Sequence, residues 1–170
     1  MSLLPPVMDE PRLGSIGLTQ IHGDVGFLIR IGQWLNGNGF ANFEHAFVVT
    51  GPNQIVEAEP GGARFAALTE YDPESVAWVR CPDEHRDAVA EAAAGFLNAP
   101  YGFADYLVIA LHRFHLPIPG LKRMAKSTKT MICSQLAVES ARDGGWDLLG
   151  DEPAGFVTPA DLAALADPPA

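Results

Sequence analysis

The sequence predicts an α+β fold in which a small antiparallel sheet packs against helices. Two short β-type runs, residues 43–50 and 54–59, are joined by Gly-Pro-Asn, a strong turn signal that predicts a hairpin. Two later segments have helical character: an Ala-rich stretch over residues 84–98 and an amphipathic stretch with Cys133 in its first turn. A hairpin accompanied by such helices is typical of the α+β class.

Composition places the chain among ordinary globular proteins. It has 170 residues, of which 48% are hydrophobic and 19% charged, and we expect a Pro-punctuated lead-in over residues 1–13 followed by a single domain over residues 14–170. The formal charge of −10 argues against general nucleic-acid binding. With no recognisable signal peptide or membrane-spanning window, the default expectation is a cytoplasmic protein with reduced thiols, while export by other means or association with a virion stays open.

The first half of the chain predicts a strand and a helix ahead of the hairpin. Residues 14–21 have strand character, and His22 lies in the turn that ends them. Asp24 is a suitable N-cap for a helix over residues 25–36, whose apolar side chains recur near helical spacing. After the hairpin we expect a short extended piece over residues 64–68.

The second half predicts mostly helices. In order along the chain, the patterns indicate a strand over residues 75–80, the Ala-rich helix, a helix over 104–114, an irregular stretch over 115–130, the Cys133 helix up to about residue 142, and a last helix over 158–166. The last helix begins with Thr-Pro-Ala-Asp, which has the form of a capping box with proline at the first helical position.

Alternation along the hairpin places polar groups on one face of each strand. His45 lies on one face of the first strand, and Glu57 and Glu59 share a face of the second. A three-residue loop would set His45 opposite Glu59 and diagonal to Glu57, and a long carboxylate side chain spans the diagonal distance of about 7–8 Å. Either glutamate could therefore be the partner of His45.

Cys133 is predicted to lie in the first turn of its helix. Ile132, Leu136 and Ser140 fall on one face there. A thiol in that position faces unpaired backbone N–H groups and the positive end of the helix dipole, and both favour the nucleophilic thiolate. The alternative interpretation is that Cys133 is a small buried hydrophobic residue.

A nucleophilic cysteine needs a histidine base and a third group that orients the base. His45 with a strand glutamate can supply both, whereas Cys81 with His85 is a weaker local pair because Cys81 precedes a proline at a strand end. His112 and His115 are separated by a predicted helix break and make a poor zinc signal. We expect neither a metal nor a cofactor.

A cationic segment leads into the Cys133 helix. No acidic residue occurs between Asp105 and Glu139, and five of the eleven basic residues fall in that interval: Arg113, Lys122, Arg123, Lys126 and Lys129. The segment would favour a thiolate, and residues 106–130 could contact an anionic substrate, a membrane surface or an assembly partner. The alternative is a solvated basic loop.

The order of these pieces carries a family resemblance. Glu-His45-Ala-Phe-Val-Val, the Gly-Pro-Asn turn, Gln-Ile-Val-Glu57-Ala, Tyr101-Gly102 and Ile-Cys133-Ser-Gln-Leu follow one another along the chain. This order resembles the circularly permuted NlpC/P60 branch of papain-like thiol hydrolases, a group that includes the lecithin:retinol acyltransferase-like proteins. The resemblance covers residues 14–165.

The resemblance implies a permuted papain-like fold and a set of roles. Cys133 would be the nucleophile, His45 the base and Glu57, by its spacing after the histidine, the third group. Tyr101 would shape the site or stabilise an oxyanion. The implied substrate is a cell-wall peptide amide or a lipid-linked acyl group, with a peptidoglycan-type amide favoured.

Two alternatives and three departures accompany the resemblance. The same fold could serve a lipid acyl hydrolase or acyltransferase, or a non-catalytic component of a cell-wall or phage-like assembly. Gly14-Ser15 and Gly102 stand where the family commonly has Gly-Asp and an Asp after the tyrosine, and the insertion before Cys133 is long.

Overall fold

The protein has an α+β architecture built on one antiparallel sheet. A computed structural model describes residues 12–20, 43–59, 62–99 and 132–167. The sheet has five strands in the order β4-β3-β2-β1-β5, and every neighbouring pair is antiparallel. The strands are β1 Ile16–Thr19, β2 His45–Gly51, β3 Gln54–Glu59, β4 Gly62–Ala66 and β5 Ala77–Val79. The predicted α+β class with an antiparallel sheet is confirmed at this level.

Three α-helices accompany the sheet in the described ranges. They are α1 Arg86–Gly95, α2 Cys133–Asp143 and α3 Pro159–Ala163, and short 3₁₀ turns cover Leu68–Glu70, Pro73–Ser75, Asp83–His85 and Ala154–Phe156. The predicted capping box at the start of α3 is present, because Asp161 N–H donates to the Thr158 hydroxyl and the Asp161 carboxylate accepts from Thr158 N–H. The helices predicted over residues 25–36 and 104–114 lie outside the described residues.

The β2–β3 hairpin has the predicted register in its body. Phe47 pairs with Glu57 and Val49 with Ile55, but the register shifts between Val49 and Gly51, so that Gly51 pairs with Gln54. The connecting loop is therefore Pro52-Asn53, one residue shorter than expected, and the extra residue is absorbed in a β-bulge. Because the bulge lies at the turn, it leaves the pairing around Glu57 unchanged.

The two faces of the sheet pack against different partners. Alternate side chains of β1 and β2, such as Leu18 and Val48, join residues of α1 and α2 in the main core. The other face carries an aromatic cluster in which Phe47 stacks on Tyr71 at 5.0 Å between ring centroids and meets Trp78 edge-on. Gly17 makes room for the Phe47 ring, since a Cβ there would lie 2.3 Å from it.

Helix α2 is buried along most of its length, and Cys133 lies in its first turn as the sequence predicts. Ile132 is extended at the N-cap and accepts the first helical hydrogen bond from Leu136 N–H at 2.9 Å. The Ser134 hydroxyl donates to the Val157 carbonyl at 2.6 Å, which ties the first turn to the segment before α3. These contacts fix the position of Cys133, the first residue of the helix.

Helix α1 ends earlier than its Ala-rich composition predicts. The helix stops at Gly95 instead of Asn98, and Asn98 has a positive φ of 66°. The reason is tertiary: Asn98 N–H donates to the Ala63 carbonyl, and Ala63 N–H donates to the Ala99 carbonyl, so the chain leaves the helix to pair with edge strand β4. Strand β1 is likewise shorter than predicted, four residues instead of eight.

No helix in the described part of the chain is long and apolar enough to cross a membrane. The longest is α2 with 11 residues, whereas a span needs about 20 apolar residues.

Candidate active site

Cys133 lies at the N-terminal end of α2, beside the start of β2. Its side chain is 1% exposed, and Sγ lies 4.0 Å from the Glu44 carbonyl oxygen, the residue before His45. The first N–H groups of a helix have no intrahelical acceptor, and the helix dipole is positive at this end. Both features stabilise negative charge on a thiol placed there.

His45 links the thiol to a carboxylate. Its ring is 3% exposed, and Nε2 lies 2.8 Å from Glu57 Oε2. The ring also shares a hydrogen bond with the Cys133 side chain. Since Nε2 faces Glu57, Nδ1 is the nitrogen left for the thiol. The imidazole thus stands between a sulfur and a carboxylate, the arrangement that a base and its orienting group require.

Burial and the hydrogen-bond partners of His45 shift its pKa in opposite directions. Burial alone would lower the pKa of the imidazole, but the hydrogen bonds to Cys133 and Glu57, together with their negative charges, outweigh it and raise the pKa to about 10. The two partners therefore favour the imidazolium form of His45.

Glu57 is fully buried and contacts three side chains. Its Oε2 accepts hydrogen bonds from His45 and from the Tyr71 hydroxyl, the latter at 2.5 Å. Its Oε1 has no hydrogen bond among the described residues but lies 2.7 Å from Arg64 Nη2, an ion pair without hydrogen-bond alignment. Burial alone would raise the pKa of Glu57, but these partners reverse the effect and lower it.

Side-chain contacts distinguish the two candidate glutamates. Glu57 is the one beside His45, on the diagonal, while Glu59 accepts a hydrogen bond from Arg64 Nε at 3.0 Å near the surface. Sequence reasoning missed both Tyr71 and Arg64 as members of this cluster. Arg64 could have been identified from its place opposite Glu57 on the next strand. Tyr71 follows a 3₁₀ turn, and no pattern in the sequence points to its contact with Glu57.

Cys81 offers an inert counterpart to Cys133. Both cysteines are free thiols and both are buried. Burial raises the pKa of Cys81 to about 11, and its Sγ donates to the Pro82 carbonyl at 3.5 Å. The ring of His85 lies beside Gly145, so the geometry favours a structural role for Cys81 over the local Cys81/His85 pair.

The remaining predicted site residues belong to the segment between α1 and α2. Tyr101 and the basic residues Arg113, Lys122, Arg123, Lys126 and Lys129 lie outside the described residues. Within the described ranges, no group of three or more His, Cys, Asp or Glu side chains could hold a metal ion.

A cavity of about 460 Å³ lies at the far end of α2. Its lining includes Arg142, Trp146 and Pro153. With a rise of about 1.5 Å per residue, the length of α2 separates this cavity from Cys133. It is therefore not part of the cysteine site.

Comparison with known proteins adds no family assignment. No protein-family model matches the chain, and no curated protein matches it significantly. A functional interpretation therefore depends on the residue pattern and on the geometry around Cys133.

Proposed function

We propose that the protein is a thiol hydrolase that works by acyl transfer, with Cys133 as nucleophile, His45 as base and acid, and Glu57 as the group that orients His45. The observation that carries this proposal is the chain of contacts from the α2 N-terminus through His45 to a buried, ionised Glu57. A structural cysteine needs none of these partners, as Cys81 illustrates.

The proposed reaction has two halves. The Cys133 thiolate attacks a carbonyl carbon, and the C–S bond forms as the carbonyl oxygen becomes an oxyanion. The backbone N–H of Cys133 is a candidate donor to that oxyanion. The His45 imidazolium then gives its proton to the leaving amine or alkoxide, and a thioester remains. In the second half His45 takes a proton from water, the hydroxide cleaves the thioester, and the acid product leaves the regenerated thiolate.

The substrate class follows from the resemblance to permuted NlpC/P60 proteins, and the same resemblance supports the permuted papain-like topology that we propose for the fold. An amide of a peptidoglycan-type peptide is the favoured substrate. A protonated His45 suits this choice, because an amine leaving group must be protonated before the C–N bond breaks.

The nucleophile is tested by alkylation with iodoacetamide near pH 6, followed by mass spectrometry of the two cysteine peptides. Cys133 and Cys81 are 1% and 3% exposed, so access is similar and the rates compare nucleophilicity. We expect Cys133 to react at least about tenfold faster, because its thiolate is stabilised and that of Cys81 is not. The His45→Ala variant should lose this advantage. Equal rates at the two cysteines in the wild-type protein would sink the proposal.

The substrate class is tested by incubating the protein with purified muropeptides and, separately, with phospholipid vesicles. New amino groups from the muropeptides, absent with Cys133→Ala, would support the amide reaction. Free fatty acid from the vesicles, without amine release, would replace it with a lipid acyl hydrolase.

A further inference from the structure

The carboxylate of Glu57 is held on both of its oxygens by groups that the proposed mechanism does not use. The Tyr71 hydroxyl donates to Oε2, the same oxygen that His45 contacts, at 2.5 Å. Arg64 Nη2 lies 2.7 Å from Oε1. Glu57 itself is fully buried. A buried carboxylate stays ionised only where opposite charge or hydrogen-bond donors replace its water.

Both Tyr71 and Arg64 are held in position by their own neighbours. The Tyr71 ring is stacked on Phe47 with centroids 5.0 Å apart and lies 6.0 Å from the His45 ring, so its hydroxyl is aimed by packed aromatic groups. Arg64 lies opposite Glu57 in the β3–β4 register, so its guanidinium approaches from the neighbouring strand. Its Nε and Nη2 also contact Glu59 and Glu70, which hold the planar group across Glu57.

We propose that Tyr71 and Arg64 are positioning residues that keep Glu57 ionised and turned towards His45, and that they thereby set the acid limit of Cys133 reactivity. This inference rests on the proposed function, because it concerns the same site. If Glu57 takes up a proton, it no longer stabilises the imidazolium, and the thiolate loses the positive charge beside it. Whatever favours the ionised form of Glu57 therefore extends reactivity to lower pH.

Three side chains face Glu57 directly, and each of them lowers its pKa. From β2 it meets His45, from β4 Arg64, and from the segment after the first 3₁₀ turn Tyr71. Glu59 and Glu70 reach it only through Arg64, whose charge they share. Removing the Tyr71 hydroxyl or the Arg64 charge should raise the pKa of Glu57, since both lower it now.

The test compares Tyr71→Phe and Arg64→Gln with the wild-type protein in two measurements. The first is the rate of iodoacetamide alkylation at Cys133 against pH. The second is the carboxyl ¹³C NMR titration of Glu57, assigned by its absence in Glu57→Gln. We expect each variant to move the acid midpoint of both curves upward by about one pH unit, the effect of losing one donor to a charged group.

Two further variants distinguish an effect on the ionisation of Glu57 from a general effect of losing an ion pair. Arg64→Lys keeps the charge and should move the midpoints less than Arg64→Gln. Arg80→Gln removes an ion pair of the same kind, with Asp167, beyond the opposite edge strand, and should leave both midpoints unchanged. If Tyr71→Phe does not fold, the comparison of Arg64→Gln with Arg64→Lys tests the inference alone. Arg64 is 43% exposed, so its replacement leaves the core intact.

Each outcome has a distinct meaning. Midpoints unchanged in both variants, or alkylation curves lowered equally at every pH, would overturn the inference. A Glu57 titration that moves while the alkylation midpoint stays fixed would overturn the link to reactivity. If wild-type Cys133 reacts no faster than Cys81, the proposed function fails, but the NMR titration still decides whether Tyr71 and Arg64 hold Glu57 ionised.

Discussion

Glu57 and Glu59 lie two residues apart on the same face of β3, but their contacts predict different effects of the same substitution on the reactivity of Cys133. Glu57→Gln keeps the shape of the side chain but removes the charge that holds His45. A hydrogen bond to a charged group contributes about 1.5–3 kcal/mol, so we expect alkylation of Cys133 near pH 6 to slow by about 10- to 100-fold. Peptide mass spectrometry measures the rate.

Glu59→Gln is the matched control. Its carboxylate is 41% exposed and contacts Arg64 rather than His45, so the alkylation rate should stay within about twofold of wild type. Equal slowing in the two variants would contradict the assignment of Glu57 as the orienting group and would indicate a general effect of lost charge on the hairpin.

At this scale the sequence predicted a contact between His45 and a glutamate of the next strand, but alternation and loop length alone left Glu57 and Glu59 as equal candidates. His45 and Glu57 are joined by a short turn, so alternation and loop length placed them on a common diagonal. Tyr71 could not be predicted in the same way. It reaches Glu57 only because β4 turns back along β3 and a 3₁₀ turn then directs the chain towards Phe47. That geometry follows from packing and not from local periodicity.

Gly144, the C-cap of α2, lies against α1, and this contact predicts a clear difference between two substitutions. A Cβ at Gly144 would lie 2.5–2.7 Å from Val89, including its backbone nitrogen and Cα. Backbone atoms of a packed helix cannot move aside cheaply, so Gly144→Ala should destabilise the protein by about 1–3 kcal/mol. Urea denaturation measures the free energy of unfolding.

Gly95→Ala provides the control on α1 itself. Nothing lies within 4 Å of a Cβ built there, and its φ is not positive. Alanine at this position should therefore be neutral or stabilise the protein by up to about 1 kcal/mol. Comparable destabilisation by both substitutions would show that the helix contact at Gly144 is looser than its geometry indicates.

Elements with their own start or stop signals were predictable, and elements defined by their partners were not. The position of the turn between β2 and β3, the start of α2 and the capping box of α3 agree with the expectations because each has a local signal. The end of α1 differs because residues 98 and 99 pair with β4. The central position of β2 in the sheet, with β1 beside it, also has no local signal, since it depends on a long connection between the two strands.

The whole molecule is acidic, with a formal charge of −10, yet the Glu57 carboxylate is fully buried beside His45. Replacing such a pair by apolar groups is often neutral for stability, whereas removing one partner leaves an uncompensated charge and costs about 3–5 kcal/mol. Retaining His45 and Glu57 in the core is therefore poorly explained by stability alone. It is better explained by a chemical role, as proposed for Cys133.

The depressed pKa of Glu57 predicts how acid affects the stability of the whole protein. In the native state Glu57 remains ionised at pH values where the unfolded chain, with an ordinary pKa of about 4.5, has already bound a proton. The unfolded state therefore binds more protons there, and stability falls as the pH is lowered. The contribution of Glu57 is fully present above the unfolded pKa and is lost as the pH falls through the lower, native pKa. Urea denaturation at a series of pH values between about 6 and 3 follows this loss.

The variant Glu57→Gln isolates the contribution of that one group. It should be less stable than wild type at pH 6, and the difference between the two free energies of unfolding should shrink steadily on acidification, because the wild-type protein loses the contribution that the variant never had. Glu59→Gln, whose carboxylate is 41% exposed and paired at the surface, should give a curve parallel to wild type. A constant difference between Glu57→Gln and wild type over this pH range would mean that Glu57 titrates alike in the folded and unfolded states. Its buried contacts with His45, Tyr71 and Arg64 could not then favour the carboxylate.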